Sequence, residues 1–297
     1  MDKTKATLCV LAAGALWGCI SLFVRALDAA GLNAFEISSI RMAVGVVGML
    51  LVILARDPKL LRIRVRDLWL FVGTGVVSVT LFNVCYFMCI NLSEASIAVV
   101  LLYTSPIWVM LMSAAFFKER ITRRKVTALV LTFAGCVLVA GILGGAVRLT
   151  PIALAMGLAS GFFYATYSIF GRVALERYDT LTITFYTFLL GLVASCAMGN
   201  PAHTVEIAAA NPTLIAPYLG IGVFCTIVPY LLYTTGLKHL ETSRAAILAT
   251  VEPLVGSLLG IFAYGESTGA LKLLGMTCIL AAVVLVNTGG KNEAERP

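Results

Sequence analysis

The sequence has little charge. Only 12% of its 297 residues are charged, 60% are hydrophobic, and the mean hydropathy is +0.97. A soluble domain carries roughly 25% charged residues, so this chain has too few to cover a water-exposed globule. The same apolar content excludes a disordered chain. Histidine is scarcer still: His203 and His239 both fall in links between apolar runs. The eight cysteines (Cys9, Cys19, Cys85, Cys89, Cys136, Cys196, Cys225, Cys278) form no Cys-x-x-Cys, and all lie inside apolar runs. Small apolar packing explains them, so neither a metal site nor a cofactor is expected. The phosphate loop Gly-x-x-x-x-Gly-Lys-Ser/Thr is missing, which argues against direct use of ATP. No link exceeds about a dozen residues, which leaves no room for a soluble catalytic or receptor domain.

What the chain does have is apolar runs, at 6–27, 34–55, 68–90, 95–117, 124–143, 151–171, 180–199, 214–236, 242–264 and 270–288. A membrane-crossing helix needs roughly 20 such residues, so the fold class is an all-α membrane protein of ten transmembrane helices in a lipid bilayer. The first run follows Lys3 and Lys5 like a signal peptide. It is longer than a signal core and lacks a clear small-residue cleavage site, so it is read as an uncleaved first helix. The net charge of +7 does not point to nucleic acid. With the N-terminus inside and the runs alternating, the inside segments hold 18 of the 22 basic residues. They are Lys3 and Lys5, then Arg56 to Arg66, Lys118 to Lys125, Arg172 and Arg177, Lys238 and Arg244, and Lys291 and Arg296. Outside lie only Arg25, Arg148 and Lys272, while Arg41 falls within a run. This is the positive-inside bias, and it places both termini in the cytoplasm.

A shift of 147 residues aligns the chain with itself. Gly14 meets Gly161, and Ser21, Phe23 and Arg25 meet Ser168, Phe170 and Arg172. Gly73 and Gly75 meet Gly220 and Gly222, and Tyr86 meets Tyr233. Glu94, Ser96, Pro106, Glu119 and Lys125 meet Glu241, Ser243, Pro253, Glu266 and Lys272. Apolar periodicity would not readily align proline with proline and glutamate with glutamate at one offset. Two repeats follow, 1–147 and 148–297. Five spans is an odd number, so the second repeat enters the membrane inverted. In transporters, inverted repeats put the substrate site at their interface near the midplane.

The motifs resemble the drug/metabolite transporter superfamily, of the EamA type. The first run reads LAAGALWG with Trp17-Gly18, the second SSIRMAVG with Arg41, and the fourth runs from Pro106 to FFKER with Glu119. The ninth reads ATVEPLVGSLLGIFAYGE, with Glu252-Pro253 and Gly265-Glu266. The resemblance covers nearly the whole chain and lies in the order and spacing of the motifs. It implies a ten-helix exporter of small metabolites, often amino acids, in the bacterial inner membrane. Trp17 is matched in the second half by Tyr164 and Arg41 by Phe188, so an asymmetric site is expected.

Pro106 and Pro253 sit near the centres of the fourth and ninth runs, where a proline bends a helix and frees the carbonyl four residues earlier, here on Leu102 and Ala249. These kinks are expected to shape a cavity. Glu252 is the one acid placed at mid-membrane, where a charge is expensive. Proton coupling, binding of a substrate ammonium and a structural hydrogen bond are its three open roles. Arg41 either snorkels to the outer surface, pairs helices or holds a carboxylate. Glu119 and Glu266 are expected to fix loop or helix ends, and Glu94 and Glu241 to favour the positive ends of helices. Polar and aromatic residues fall on shared faces: Trp17 with Ser21, Asn83 with Tyr86, Tyr164 with Tyr167 and Ser168, and Tyr230 with Tyr233. Tyr103 precedes Pro106, and Trp69 suits an interfacial belt. Trp17, Ser21, Asn83, Tyr86, Tyr103, Tyr164, Tyr167, Tyr230, Tyr233 and Glu252 are the expected substrate-binding residues. Gly14-x-x-x-Gly18, Gly141-x-x-x-Gly145, Gly157-x-x-x-Gly161 and Gly256-x-x-x-Gly260 allow close helix contact, within the chain or between copies.

The function expected is secondary or facilitative transport of a small metabolite, an amino acid foremost, by alternating access. A multidrug or quaternary-cation exporter of the same fold is the alternative. Protons are the candidate coupling ion, and the oligomeric state is left open. An intramembrane enzyme would need a nucleophile with its base, or an aspartate pair, at depth. With no histidine in the runs and one mid-depth acid, none is expected.

Overall fold

The computed structural model describes residues 1–142, 149–266 and 268–288. Among these the chain is helical throughout, without strands. Nine helices are long and apolar enough to cross a membrane: α1 (Lys3–Ala29), α2 (Ala34–Arg56), α3 (Val65–Leu92), α4 (Ala95–Phe117), α6 (Pro151–Ala174), α7 (Thr180–Met198), α8 (Pro212–Leu237), α9 (Thr242–Tyr264) and α10 (Ala270–Thr288). The run expected at 124–143 forms α5 (Arg123–Ala140), but three of its 18 residues, Arg123, Arg124 and Lys125, are basic and crowd its first turn. Among the described residues, length and composition therefore mark nine of the ten expected spans. The expected repeat boundary at 147/148, Gly145, Arg148, Lys291 and Arg296 lie outside the described residues.

Local chemistry sets the helix ends. Asn33 accepts from Phe35 N and Glu36 N (3.0 and 3.1 Å) while Glu36 accepts from Asn33 N (2.8 Å). This reciprocal capping box starts α2 and satisfies backbone donors the helix itself cannot. Thr150 caps α6 through Ala153 N (3.1 Å), with Pro151 in the first turn, where its missing N–H is no loss. Asp179 caps α7 through Leu181 N (2.9 Å). The fourth span ends on Lys118 and the ninth on Gly265, both left-handed (φ 56° and 65°). Only glycine takes that conformation without a Cβ clash. Lys118→Gly is therefore expected to raise thermal stability by about 1 kcal/mol, read as the melting shift of the purified protein.

Several spans are interrupted. α1 breaks between Lys3–Gly18 and Ser21–Ala29, α4 between Ala95–Leu102 and Ser105–Phe117, and α9 between Thr242–Ala249 and Glu252–Tyr264. α3 and α8 carry wide π-helical turns at Gly73–Leu81 and Val223–Ile227, a geometry that often marks functional sites.

The spans pack as α5 on α10, α2 on α7, and α4 on α9. α1 packs on α8 and α9, and α6 packs on α3 and α4. Small residues permit the closest crossings. A Cβ on Gly14 would lie 2.6 Å from Ala249 O, and one on Gly18 2.6 Å from Glu252 O. A Cβ on Gly161 would lie 2.9 Å from Leu101 O and 3.1 Å from Leu102 O. The Gly14, Gly18, Gly157 and Gly161 positions thus face helices of the other half of the chain. Gly256 faces only Gly18 O at 3.5 Å, and Gly141 is a helix cap in open space. Phe23 sits on Gly220, and Phe170 sits on Gly73. Leu271, Leu273, Leu274, Leu280 and Val284 of α10 turn outward, as suits a surface solvated by lipid.

The two ends of the bundle differ. Lys3, Arg124, Arg172, Lys238, Arg244 and Val286 surround one recess, so the start of α1 and the ends of α6, α8 and α10 lie together at a basic end. At the far end Arg25 meets Glu266 (3.3 Å) and His203, in the short helix Pro201–Ala210, meets buried Glu36 (2.9 Å). Lys272 foremost, with Arg25 behind it, holds the Glu266 carboxyl below its ordinary value. α1 therefore runs away from the basic end and α6 towards it.

Candidate functional site

The breaks in α1, α4 and α9 and the wide turn of α3 open onto one cavity of about 390 Å³. All ten expected substrate-binding residues line it: Trp17, Ser21, Asn83, Tyr86, Tyr103, Tyr164, Tyr167, Tyr230, Tyr233 and Glu252. Pro106 lines it too, whereas Pro253 does not.

The prolines do more than kink their helices. Each occupies the second residue of a new half-helix, Ser105–Phe117 or Glu252–Tyr264, a position that lacks an intrahelical partner for its N–H in any case. The preceding turns bend back on themselves. Thr104 Oγ1 donates to Leu101 O (2.7 Å) and Thr250 Oγ1 to Ile247 O (2.5 Å). The carbonyls of Leu102 and Ala249 lie against Gly161 and Gly14, so glycine lets the crossing helix shield the carbonyls each break exposes.

Glu252 opens the second half of α9, where the helix dipole favours a carboxylate. Its carboxylate has no hydrogen-bond partner or ion pair among the described residues, although it lines the cavity. Among the described residues it makes no structural hydrogen bond to another helix. Polar groups at membrane depth are tolerated when they face a polar cavity.

Tyr230 stands at the centre of an aromatic cluster. Its ring lies 5.5 Å from Trp17, 5.2 Å from Tyr167 and 5.1 Å from Phe188, all edge-on. Phe82 lies edge-on to Tyr164 (5.3 Å) and tilted against Tyr86 (5.7 Å). Edge-to-face pairs of this kind hold rings in fixed orientations. Two of the tyrosine hydroxyls are committed to the protein. Tyr167 Oη bonds Thr234 Oγ1 (2.6 Å) and Tyr233 Oη bonds Ser168 Oγ (2.7 Å). Asn83 Nδ2 donates to Ser38 Oγ (3.2 Å), tying α3 to α2. The hydroxyls of Tyr86, Tyr103, Tyr164 and Tyr230 have no protein partner among the described residues, and all four residues line the cavity.

Arg41 does not snorkel. Its Nε donates to Thr226 Oγ1 (3.1 Å) and its Nη2 to Cys225 O (3.4 Å), both in the wide turn of α8, and its side chain lines the cavity. A wide turn leaves carbonyls without the usual helical donor, and the guanidinium takes one of them. Ser38, Ser78 and Phe82 also line the cavity and were not expected from the sequence. Their signal was present for Phe82, one turn before Tyr86 on the same face, but Ser38 and Ser78 read as ordinary small packing residues.

Glu119 fixes a helix end as expected. Its carboxylate accepts from Thr242 N (2.6 Å), Ser243 N (3.1 Å) and Ser243 Oγ (2.5 Å) at the start of α9. Glu241 makes no cap bond and pairs instead with Lys125 (2.9 Å). Among the described residues no group of three or more metal-binding side chains occurs.

A family model described as the EamA-like transporter family matches residues 4–141 and again residues 151–288. An uncharacterized transporter of Archaeoglobus fulgidus is 29% identical over 281 residues, covering 93% of this chain and 94% of that protein. The uncharacterized transporter YwfM of Bacillus subtilis is 23% identical over 291 residues, covering 97% and 95%. A chain of known crystal structure shares the fold with a TM-score of 0.79 at 17% identity, covering 99% of this chain and all of that one. Two matches spanning nearly the whole chain are decisive: the protein belongs to the EamA-like transporter family, within the drug/metabolite transporter superfamily, and is a membrane transporter.

Proposed function

We propose that the protein exports a small zwitterionic metabolite, an amino acid foremost, by alternating access between two inverted five-helix repeats. One observation carries the substrate class. A carboxylate without a protein partner, Glu252, and a guanidinium, Arg41, line the same aromatic cavity. A zwitterion supplies an ammonium for the first and a carboxylate for the second, and Arg matches a carboxylate's geometry. The rings of Trp17, Tyr164 and Tyr230 would hold an apolar side chain, as small-ligand pockets do. Proton exchange at Glu252 in the emptied cavity is the coupling step proposed.

Several features support the repeats. Both ends of the two family matches, 4 and 151, 141 and 288, differ by 147. The packing obeys the same exchange, since α1 on α8 mirrors α6 on α3, and Phe23 on Gly220 mirrors Phe170 on Gly73. In this reading α5 is the tenth span, its basic first turn lying at the membrane surface. The basic end faces the cytoplasm of a cell whose inner membrane holds the protein, by the positive-inside bias.

The test is counterflow in proteoliposomes against a panel of radiolabelled amino acids, their carboxyl-amidated and N-acetylated forms, and tetraalkylammonium ions. Free amino acids should compete and both blocked forms should not. Arg41→Gln should weaken competition by the free acid roughly tenfold, the loss of one charge-assisted bond, and leave the amide unaffected. Equal competition by the amidated form overturns the zwitterion reading. The aromatic walls around Glu252 also suit a quaternary cation. Competition by tetraalkylammonium alone would favour that exporter, which Arg41 in the same cavity opposes.

A further inference from the structure

The repeat offset exposes an asymmetry in the hydrogen bonds. Near the basic end three contacts close the bundle below the cavity. Ser168 bonds Tyr233 (2.7 Å), Arg172 donates to Leu237 O and Leu240 O (2.6 and 3.3 Å), and Glu119 caps Thr242 and Ser243 at the start of α9. Each residue has a counterpart 147 positions earlier or later with the chemistry to do the same. Ser21 and Tyr86 match Ser168 and Tyr233. Arg25, with the carbonyls of Ile90 and Ser93, matches Arg172 with those of Leu237 and Leu240. Glu266, with Ala95 and Ser96, matches Glu119 with Thr242 and Ser243.

At the far end none of the counterpart bonds is made among the described residues. Arg25 pairs with Glu266 (3.3 Å) and stacks on Tyr264 (3.7 Å). Glu266 is held by Lys272 (3.0 Å), and Ser96 turns to Glu94 (3.4 Å). Exposure follows: Ser243 is 1% exposed, while the side chains of Arg25 and Glu266 are 57% and 42% exposed. The cavity lining reaches Val24 and Ala34, towards the far ends of α1 and α2, but goes no further towards the basic end than Ser168, Tyr233 and Ala246.

We propose that these are two alternative gates built from the same residues of the two repeats. The gate at the basic end, Ser168–Tyr233, Arg172–Leu237/Leu240 and Glu119–Thr242/Ser243, is closed in this structure. The far gate closes in the other state through Ser21–Tyr86, Arg25–Ile90/Ser93 and Glu266–Ala95/Ser96. Making both at once would seal the cavity at both ends, so each state carries one. The inference rests on the inverted-repeat reading above, and substrate need only bias two conformations of similar energy.

The pairs Glu119→Cys/Ser243→Cys and Glu266→Cys/Ser96→Cys, cross-linked by a short reversible bifunctional thiol reagent in proteoliposomes, test this against the unsubstituted chain as background. The first pair should cross-link at once, arrest transport, and recover on reduction. The second pair should cross-link weakly, then rise roughly fivefold when Ser168→Ala with Tyr233→Phe removes one net hydrogen bond from the closed gate. Ser243→Ala in the second pair's background is a milder variant with the same expected direction. If locking the first pair arrests transport but the second pair never gains yield in either background, the far gate is wrong and alternating access stands. If the locked first pair transports normally, alternating access falls with it.

Discussion

Proteoliposomes carrying Glu252→Gln are expected to transport amino acids with an apparent affinity reduced roughly 10- to 100-fold. The figure follows from a charge-assisted bond of about 1.5–3 kcal/mol at about 1.4 kcal/mol per tenfold. Glutamine keeps the volume and a carbonyl acceptor, so the loss isolates the charge. The variant should fold normally, because the carboxylate has no hydrogen-bond partner among the described residues and no protein contact is broken. Transport measured with and without a pH gradient separates the two roles. If Glu252 only holds the ammonium, the variant keeps whatever pH response the parent has. If it also exchanges a proton, that response disappears. Unchanged transport together with an unchanged pH response removes both roles.

Gly14→Val is expected to cost about 3 kcal/mol or more, the upper range for overpacking, and to lower folded yield and melting temperature in detergent. A Cβ there meets Ala249 O at 2.6 Å and Val251 Cγ1 at 2.7 Å. The carbonyl belongs to the turn that breaks α9, so the neighbour cannot swing aside as a flexible side chain would. Gly256→Ala is the control on the facing helix, where the nearest atom is Gly18 O at 3.5 Å, an ordinary contact. It should change the melting temperature little. Equal effects at the two positions would mean that the α1–α9 crossing is not held by close approach at Gly14.

The helices were legible because apolar runs and caps are local signals. Asn33 with Glu36, and Thr150 with Pro151, mark helix starts without reference to the rest of the chain. α5 was legible as a helix, but its basic first turn blurs its status as a span by composition. Candidate cavity residues could be read from polar and aromatic side chains repeated at helical spacing, since a face that meets lipid has no use for them. Arg41 could be seen but not placed. Its depth in α2 is a property of the sequence, whereas its bonds to Thr226 and Cys225 come from a wide turn in α8, 185 and 184 residues away.

The sequence by itself determined that the chain is a membrane protein, where its apolar helices run, and that residues of its two halves match at one offset. These follow from composition, local period and self-comparison. Only the tertiary structure decided that, among the described residues, Glu252 stands without a protein hydrogen bond, that the hydroxyls of Tyr167 and Tyr233 are already taken, and that matched residues bond near one end of the bundle but not the other. The residues that match at the 147-residue offset fall at both ends of the bundle. Which set of bonds is made depends on how the helices lean together, and that is a contact between distant segments.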